Sequence, residues 1–227
     1  MNEIGVISQW AFELFGMQFV LNKDTLIMTW IVMVVLILFA LLASRQTKII
    51  PNPLQSAAEL IVGTWADLVD DSLAVKESRK YFPLVCTVFL LVWISNLLGI
   101  IPFLSEPTAD LNTTLSLGLV GFLVAHYSGI KFKGFKAYAK GYFEPIFFMM
   151  PLNLIGELAK IISISFRLFG NIMGGSIIIL VVSYLVYSLV LPPFLYGFFG
   201  LFVGTVQAFV FSMLNAASEL PSQRRHK

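Results

Sequence analysis

Leu26-Ile27-Met28-Thr29-Trp30-Ile31-Val32-Met33-Val34-Val35-Leu36-Ile37-Leu38-Phe39-Ala40-Leu41-Leu42-Ala43 is an unbroken apolar run with no ionisable side chain. A helix needs about 20 such residues to cross the roughly 30 Å hydrocarbon layer of a bilayer. The run has span length rather than signal-peptide length, and the stretch before it is not basic, so no cleavable leader is expected. The whole chain shares this character. Hydrophobic residues make up 58% and charged residues 12% of its 227 positions, whereas soluble domains carry about 25% charged residues. Further apolar runs place spans at 82–102, 114–130, 143–191 and 194–218. The section at 52–78 spaces apolar residues at helical intervals among polar ones, which predicts an amphipathic helix lying along the membrane surface. The expected fold is an all-α membrane protein, one membrane domain over 1–227, with about five transmembrane helices. The run at 143–191 is too long for one upright helix. It should be tilted or kinked, with Pro145 and Pro151 near its start and a turn at Pro192-Pro193 into the last helix.

Basic residues orient this arrangement. Arg45, Lys48, Lys76, Arg79 and Lys80 share one side with Lys131, Lys133, Lys136, Lys140, Arg224, Arg225 and Lys227, and Lys23 stands opposite. The positive-inside rule puts the N-terminus outside and the C-terminus in the cytoplasm. The net charge of +2 adds nothing to this. Cys86 is the single cysteine and lies in an apolar run, so it reads as filler rather than as a disulfide or metal ligand. His126 and His226 are isolated and lack the partners a site needs. No phosphate loop, zinc motif or nucleophile–base pattern is present. Neither a bound nucleotide nor a nucleic-acid partner is expected.

The chemistry concentrates in Glu157-Leu158-Ala159-Lys160-Ile161-Ile162-Ser163-Ile164-Ser165-Phe166-Arg167-Leu168-Phe169-Gly170-Asn171. Arg167 is deep in an apolar helix, where its charge costs between about 2.5 and more than 10 kcal/mol unless it faces protein or water. Its guanidinium cannot escape by losing a proton. The chain offers no convincing anion beside it: Glu157 lies ten residues earlier, and Ser176 nine later is nearly a half-turn out of phase. The counter-charge is expected on another subunit. At 100° per residue, Lys160, Ser163, Gly170, Asn171 and Gly174 fall within about 60° of Arg167. Such a stripe lets a neighbouring helix approach closely. The plain alternative is a packing face whose arginine snorkels to a headgroup. Gln207, midway along the last helix, could meet Arg167 across the final hairpin, or it could simply join two helices by a hydrogen bond.

Phe166-Arg167-Leu168-Phe169-Gly170-Asn171 resembles the signature of subunit a of bacterial F-type ATP synthases, and Gln207-Ala208-Phe209 resembles its final-helix motif. Asn96-Leu97-Leu98-Gly99-Ile100-Ile101-Pro102 looks like the family's second-span motif. Pro107-Thr108-Ala109-Asp110-Leu111-Asn112-Thr113-Thr114-Leu115 looks like its external loop, and Pro151-Leu152-Asn153-Leu154-Ile155-Gly156-Glu157 like the approach to the arginine helix. The resemblance implies a non-enzymatic stator in the bacterial inner membrane, beside c-ring subunits that carry mid-membrane Asp or Glu. It also implies a subunit b dimer and the rest of the complex as partners, with no cofactor beyond the transported H+ or Na+. Two offset half-channels would serve the ring. Arg167 would meet each arriving carboxylate, with Asn171 and Gln207 orienting it or lining the path. Asp110, Glu106, Asn112 and Glu157 are candidates for the outer channel, and Lys160 for the cytoplasmic side.

Two positions depart from the family pattern. Many proton-translocating members carry Glu where this chain has Ser176, and others carry His or an acidic group where it has Gly200. Sodium coupling through hydroxyl and carbonyl ligands is one explanation; proton transfer through water, with Glu157 and Asp110 compensating, is the other. The rival from another class is a transporter or channel that binds an anion at Arg167, which predicts discontinuous helices or an inverted repeat.

Overall fold

The protein is described by a computed structural model covering residues 9–14, 17–45, 51–73, 78–101, 104–143, 148, 150–185 and 191–218. It is helical apart from an antiparallel hairpin of β1 (Gln9–Leu14) and β2 (Met17–Asn22). Helices α1 (Lys23–Ser44), α2 (Pro53–Leu73), α3 (Ser78–Leu98), α4 (Leu111–Lys133), α5 (Phe135–Phe143) and α6 (Met150–Leu185) follow. Then α7 (Leu191–Tyr196) runs through a π-helical stretch, Gly197–Val203, into α8 (Gly204–Ser218). The segments Lys23–Ser44, Met150–Leu185 and Leu191–Met213 are long and apolar enough to cross a membrane, and Phe82–Leu98 and Leu111–Tyr127 are shorter apolar helices. This is the expected all-α membrane fold.

Details differ from the sequence expectation. The hairpin at 9–22 and helix α5 were not anticipated. Both are short, and the lysines of α5 read as loop. Pro192 and Pro193 do not form the turn; they occupy the first turn of α7. A proline there gives up an amide that has no intrahelical partner anyway. Positions 186–190, between α6 and α7 in sequence, lie outside the described residues, as do Pro145, His226 and the basic tail. The predicted amphipathic helix is α2, and it does more than lie on a surface. Its Trp65 and Val69 are buried in the core with Val85, Cys86, Phe89 and Val92 of α3, Ile164, Leu168 and Ile172 of α6, and Ala208 and Phe211 of α8. The Trp65 and Phe89 rings meet at a tilt of 40° with centroids 4.2 Å apart, while Leu54, Leu60 and Val62 stay exposed.

One end of the bundle is tied by Asp110. Its carboxylate caps α4, accepting the Asn112 amide at 2.9 Å, and also accepts the Thr25 hydroxyl of α1 at 3.1 Å. The start of α1, the start of α4 and the end of α3 therefore lie together at what we term the loop end. Arg45 at the far end of α1, Lys131 in the last turn of α4, and Lys136 and Lys140 of the following α5 lie toward the opposite end. Lys23 stays at the loop end, 5.9 Å above the Trp10 ring. His126 is an α4–α5 contact: its Nδ1 lies 3.0 Å from the Phe122 carbonyl and its ring packs on Phe122 and Tyr138.

Asn96 holds the loop end in register. Fully buried, it donates to the Gly204 carbonyl of α8 at 2.9 Å and accepts the Thr108 hydroxyl at 2.6 Å. One amide thus joins α3, α8 and the turn Pro107–Ala109. Gly204 permits the approach, because a Cβ there would stand 3.0 Å from the Asn96 Cβ. Trp93, three residues earlier on α3, adds a bond from its indole to Thr205 at 2.8 Å.

Candidate functional site

Arg167 sits at the midpoint of α6, about 26 Å of helix from either end at 1.5 Å per residue. The helix runs through it unbroken. On the neighbouring turns Leu168 and Ile164 point into the core, so the phase of the helix turns Arg167 outward, and its side chain is exposed. Among the described residues it has no hydrogen-bond or ion-pair partner. The stripe around it is outward too: Lys160, Ser163, Gly170 and Asn171 are exposed, and Gly174 is partly so. At Gly170 and Gly174 an added Cβ would meet nothing within 4 Å. The stripe is open, flat and flanked by exposed Phe166, Met173 and Ile177.

Asn171, one turn beyond the arginine, donates its amide to the Gln207 carbonyl oxygen at 2.8 Å. Gln207 is 5% exposed; the bond therefore anchors the stripe to the buried side of α8. The expected meeting of α6 and α8 at this level is present, with Asn171 making the contact. Lys160, two turns before Arg167, stands 3.7 Å from Glu157 and is offset by it. Both are partly exposed, so the pair contributes less than about 1 kcal/mol. Arg167 is left as the uncompensated charge of the stripe.

Glu157 does not join the other outer-channel candidates. α4 and α6 run antiparallel, with Gly118 against Ser165 and the Phe122–Ala125 turn against Glu157 and Lys160. Glu157 therefore sits toward the basic end, while Glu106, Asp110 and Asn112 sit at the loop end. Those three also separate. Asp110 is occupied by its cap and by Thr25. The Asn112 side chain is exposed, and its backbone amide serves the cap.

Glu106 turns inward. Its side chain lies over Gly99, where a Cβ would overlap its Cγ, Cδ and Oε1. Its Oε2 is buried without a hydrogen-bond partner. It borders a cleft of about 760 Å³ between the loop end of α3, the outer part of α6 and α7, which Ser176, Ser183, Tyr184 and Tyr196 line with hydroxyls. Burial raises the Glu106 carboxyl from its ordinary value to about 7. Ser176 donates to the Ile172 carbonyl at 3.1 Å. Gly200 is buried, and a Cβ there would press into Ile100. The sequence named Glu106 among several acids; only packing against Gly99 distinguishes it.

A bundle of apolar helices with an arginine exposed at mid-helix, unpaired among the described residues, defines a multi-pass membrane protein. The chain belongs to the family described as ATP synthase A chain, which its residues 26–217 match. It is 35% identical to ATP synthase subunit a of Moorella thermoacetica, over 84% of this chain and 86% of that protein. It is 38% identical to subunit a 1 of Pelobacter propionicus, over 85% and 84% of the two chains. Subunit a of Helicobacter pylori is 38% identical over 80% of this chain and 81% of its own. The protein is thus a membrane component of an ATP synthase complex.

Proposed function

We propose that this chain is the stator of the complex's membrane motor, guiding protons between two offset half-channels and the carboxylates of a rotating c-ring. It sits in the bacterial plasma membrane with its basic end cytoplasmic and its loop end outside, and it binds no nucleotide itself. The carrying observation is Arg167, a permanent cation at the middle of α6, exposed and without a partner among the described residues, on an open stripe. Hydrocarbon cannot stabilise that charge, whereas a mid-membrane carboxylate on a neighbouring helix can. At about 4 Å and an effective dielectric near 20 the attraction is about 4 kcal/mol. That lowers the carboxylate's pKa and releases its proton, and the fixed cation bars direct leakage between the two sides. The transmembrane potential supplies about 2.3 kcal/mol per proton per 100 mV.

The Asn171–Gln207 bond supports this role by fixing the turn next to Arg167. An anion-binding transporter with discontinuous helices is disfavoured by the uninterrupted course of α6. The same stator role with Na+ remains the second reading, because Ser176 stands where many proton-coupled relatives have Glu. ATP hydrolysis by the purified complex at high pH, with and without Na+, separates the two; sodium stimulation would select the second. The central test is Arg167→Ala. The complex should assemble with full head-group ATPase content and make no ATP from an ion gradient. Normal synthesis in that variant would refute the stator reading.

A further inference from the structure

Three polar groups crowd the loop end, and two of them are committed to structure. Asp110 accepts three hydrogen bonds, from Asn112, Thr25 and Asn22, and Asn112 serves its cap. Glu106 has no such employment. Its Oε2 is buried without a partner, an arrangement that costs about 1–3 kcal/mol for a neutral group and more for a charged one. A buried polar group left so in a native protein calls for an explanation, and a role in proton transfer is one. The residue opens on a cleft large enough for a file of water molecules. From α6 the cleft receives Ser176, Ser183 and Tyr184, from α7 Tyr196, and from the turn just after α3 Gly99, which has no side chain. No cation is among the described lining residues.

We propose that Glu106 is the proton relay of the loop-end half-channel, taking protons from water in this cleft and handing them on toward the carboxylate that meets Arg167. This rests on the stator role above and goes further in assigning one carboxyl and one ion. Each passage forms an O–H bond on Glu106 as a hydronium in the cleft loses its proton. The next breaks that bond as water on the inner side accepts it, so the carboxyl is regenerated and no co-reactant is consumed. A carboxyl near half-protonation at pH 7 exchanges protons in both directions with little free-energy cost. A carboxyl that ligates sodium must instead be ionised, the form that burial of Glu106 disfavours. Ser176 faces the same cleft, so a carboxyl on α6 is dispensable where the loop supplies one.

The experiment measures passive proton conduction through the membrane sector in vesicles stripped of the catalytic head, while the pH on the loop-end side is varied. Conduction in the wild type should titrate with a midpoint near 7. Glu106→Gln should lower it by about tenfold or more and abolish the titration. Glu106→Asp should retain part, and Ser176→Glu added to Glu106→Gln should restore part. Wild-type conduction with an unchanged pH profile in assembled Glu106→Gln overturns the proposal. If that outcome accompanies a dead Arg167→Ala, only the relay fails; if Arg167→Ala makes ATP normally, the stator reading itself falls. Should Glu106→Gln not assemble, the wild-type complex carries the test. Carbodiimide labelling of Glu106, read by peptide mass spectrometry, should fall between about pH 6 and 8. No labelling anywhere in that range counts against the relay.

Discussion

Gly99→Ala tests whether the position of one carboxyl, rather than the fold around it, sets the rate. The new methyl would overlap the Glu106 Cγ, Cδ and Oε1. Gly99 has no left-handed backbone angle, so alanine fits the chain at that point. Forced overlap in a packed site costs about 1–3 kcal/mol. Here the obstructing atoms end a flexible side chain, and swinging it to another rotamer costs about 0.5–1.5 kcal/mol. Glu106 therefore yields, and the complex keeps its assembly and nearly all its stability. To reach ordinary contact beyond 3.4 Å, the carboxyl has to travel about 2 Å. A displacement of about 1 Å at a reacting group can cost about a hundredfold in rate. ATP-driven proton pumping by inverted vesicles, read by dye quenching, should fall between about tenfold and a hundredfold. Placed on Glu106→Gln, the same substitution should add less than about twofold, because the two act through one group. Full pumping by assembled Gly99→Ala, or losses that multiply in the double variant, would refute the reasoning.

Asp110→Ala removes a helix cap and the tie to Thr25, so thermal stability of the complex should drop by about 1–2 kcal/mol. The pH midpoint of conduction should not move, which a shifted midpoint would contradict. Asn171→Ala and Gln207→Ala should show a coupling of about 1 kcal/mol in a double-mutant cycle on ATP synthesis, and strict additivity would mean their bond is incidental. Glu106 also links pH to local stability. Its carboxyl is raised by burial from 4.5 to about 7, so the folded state binds more protons than the unfolded across that interval. The contribution is full below the lower value and lost as pH rises through the upper one. Intrinsically corrected hydrogen exchange at Ala109 and Asp110, bonded to the Glu106 and Pro107 carbonyls, should speed up from pH 5 to 8 by an amount worth roughly 1–3 kcal/mol. Glu106→Gln should flatten the curve.

The long apolar runs were legible because bilayer thickness imposes a length that composition alone can display. The span expected at 26–43 is α1, 23–44, and that at 114–130 falls within α4, 111–133. Arg167 and its stripe were equally readable, since a permanent charge in an apolar helix contradicts its surroundings and helical phase assigns its face. Sequence reasoning could not separate Glu106 from Asp110. Both are acids in a polar loop, and their difference arises from what approaches them: Gly99 and a cleft in one case, Asn112 and Thr25 in the other. The Asp-Leu-Asn order ahead of an apolar run was a readable capping signal. Glu157 was misplaced because it was grouped by charge and not followed along α6. A register against α4 corrects it, and no single-chain pattern contains that register. The 52–78 section was expected to lie along the membrane surface, yet Trp65 and Val69 are buried, because an amphipathic face looks the same whether it meets lipid or a neighbouring helix.

The 36 residues of α6 amount to about 54 Å, nearly twice the thickness of the hydrocarbon layer. Kept wholly within that layer, the helix would have to lean until its two tips stood about 45 Å apart sideways. Under the proposed stator role, a rotor element loaded near one tip and unloaded near the other would be carried around an arc, because the two tips do not face each other. The sideways offset between the tips is set by length alone, by how many residues precede and follow the arginine in α6.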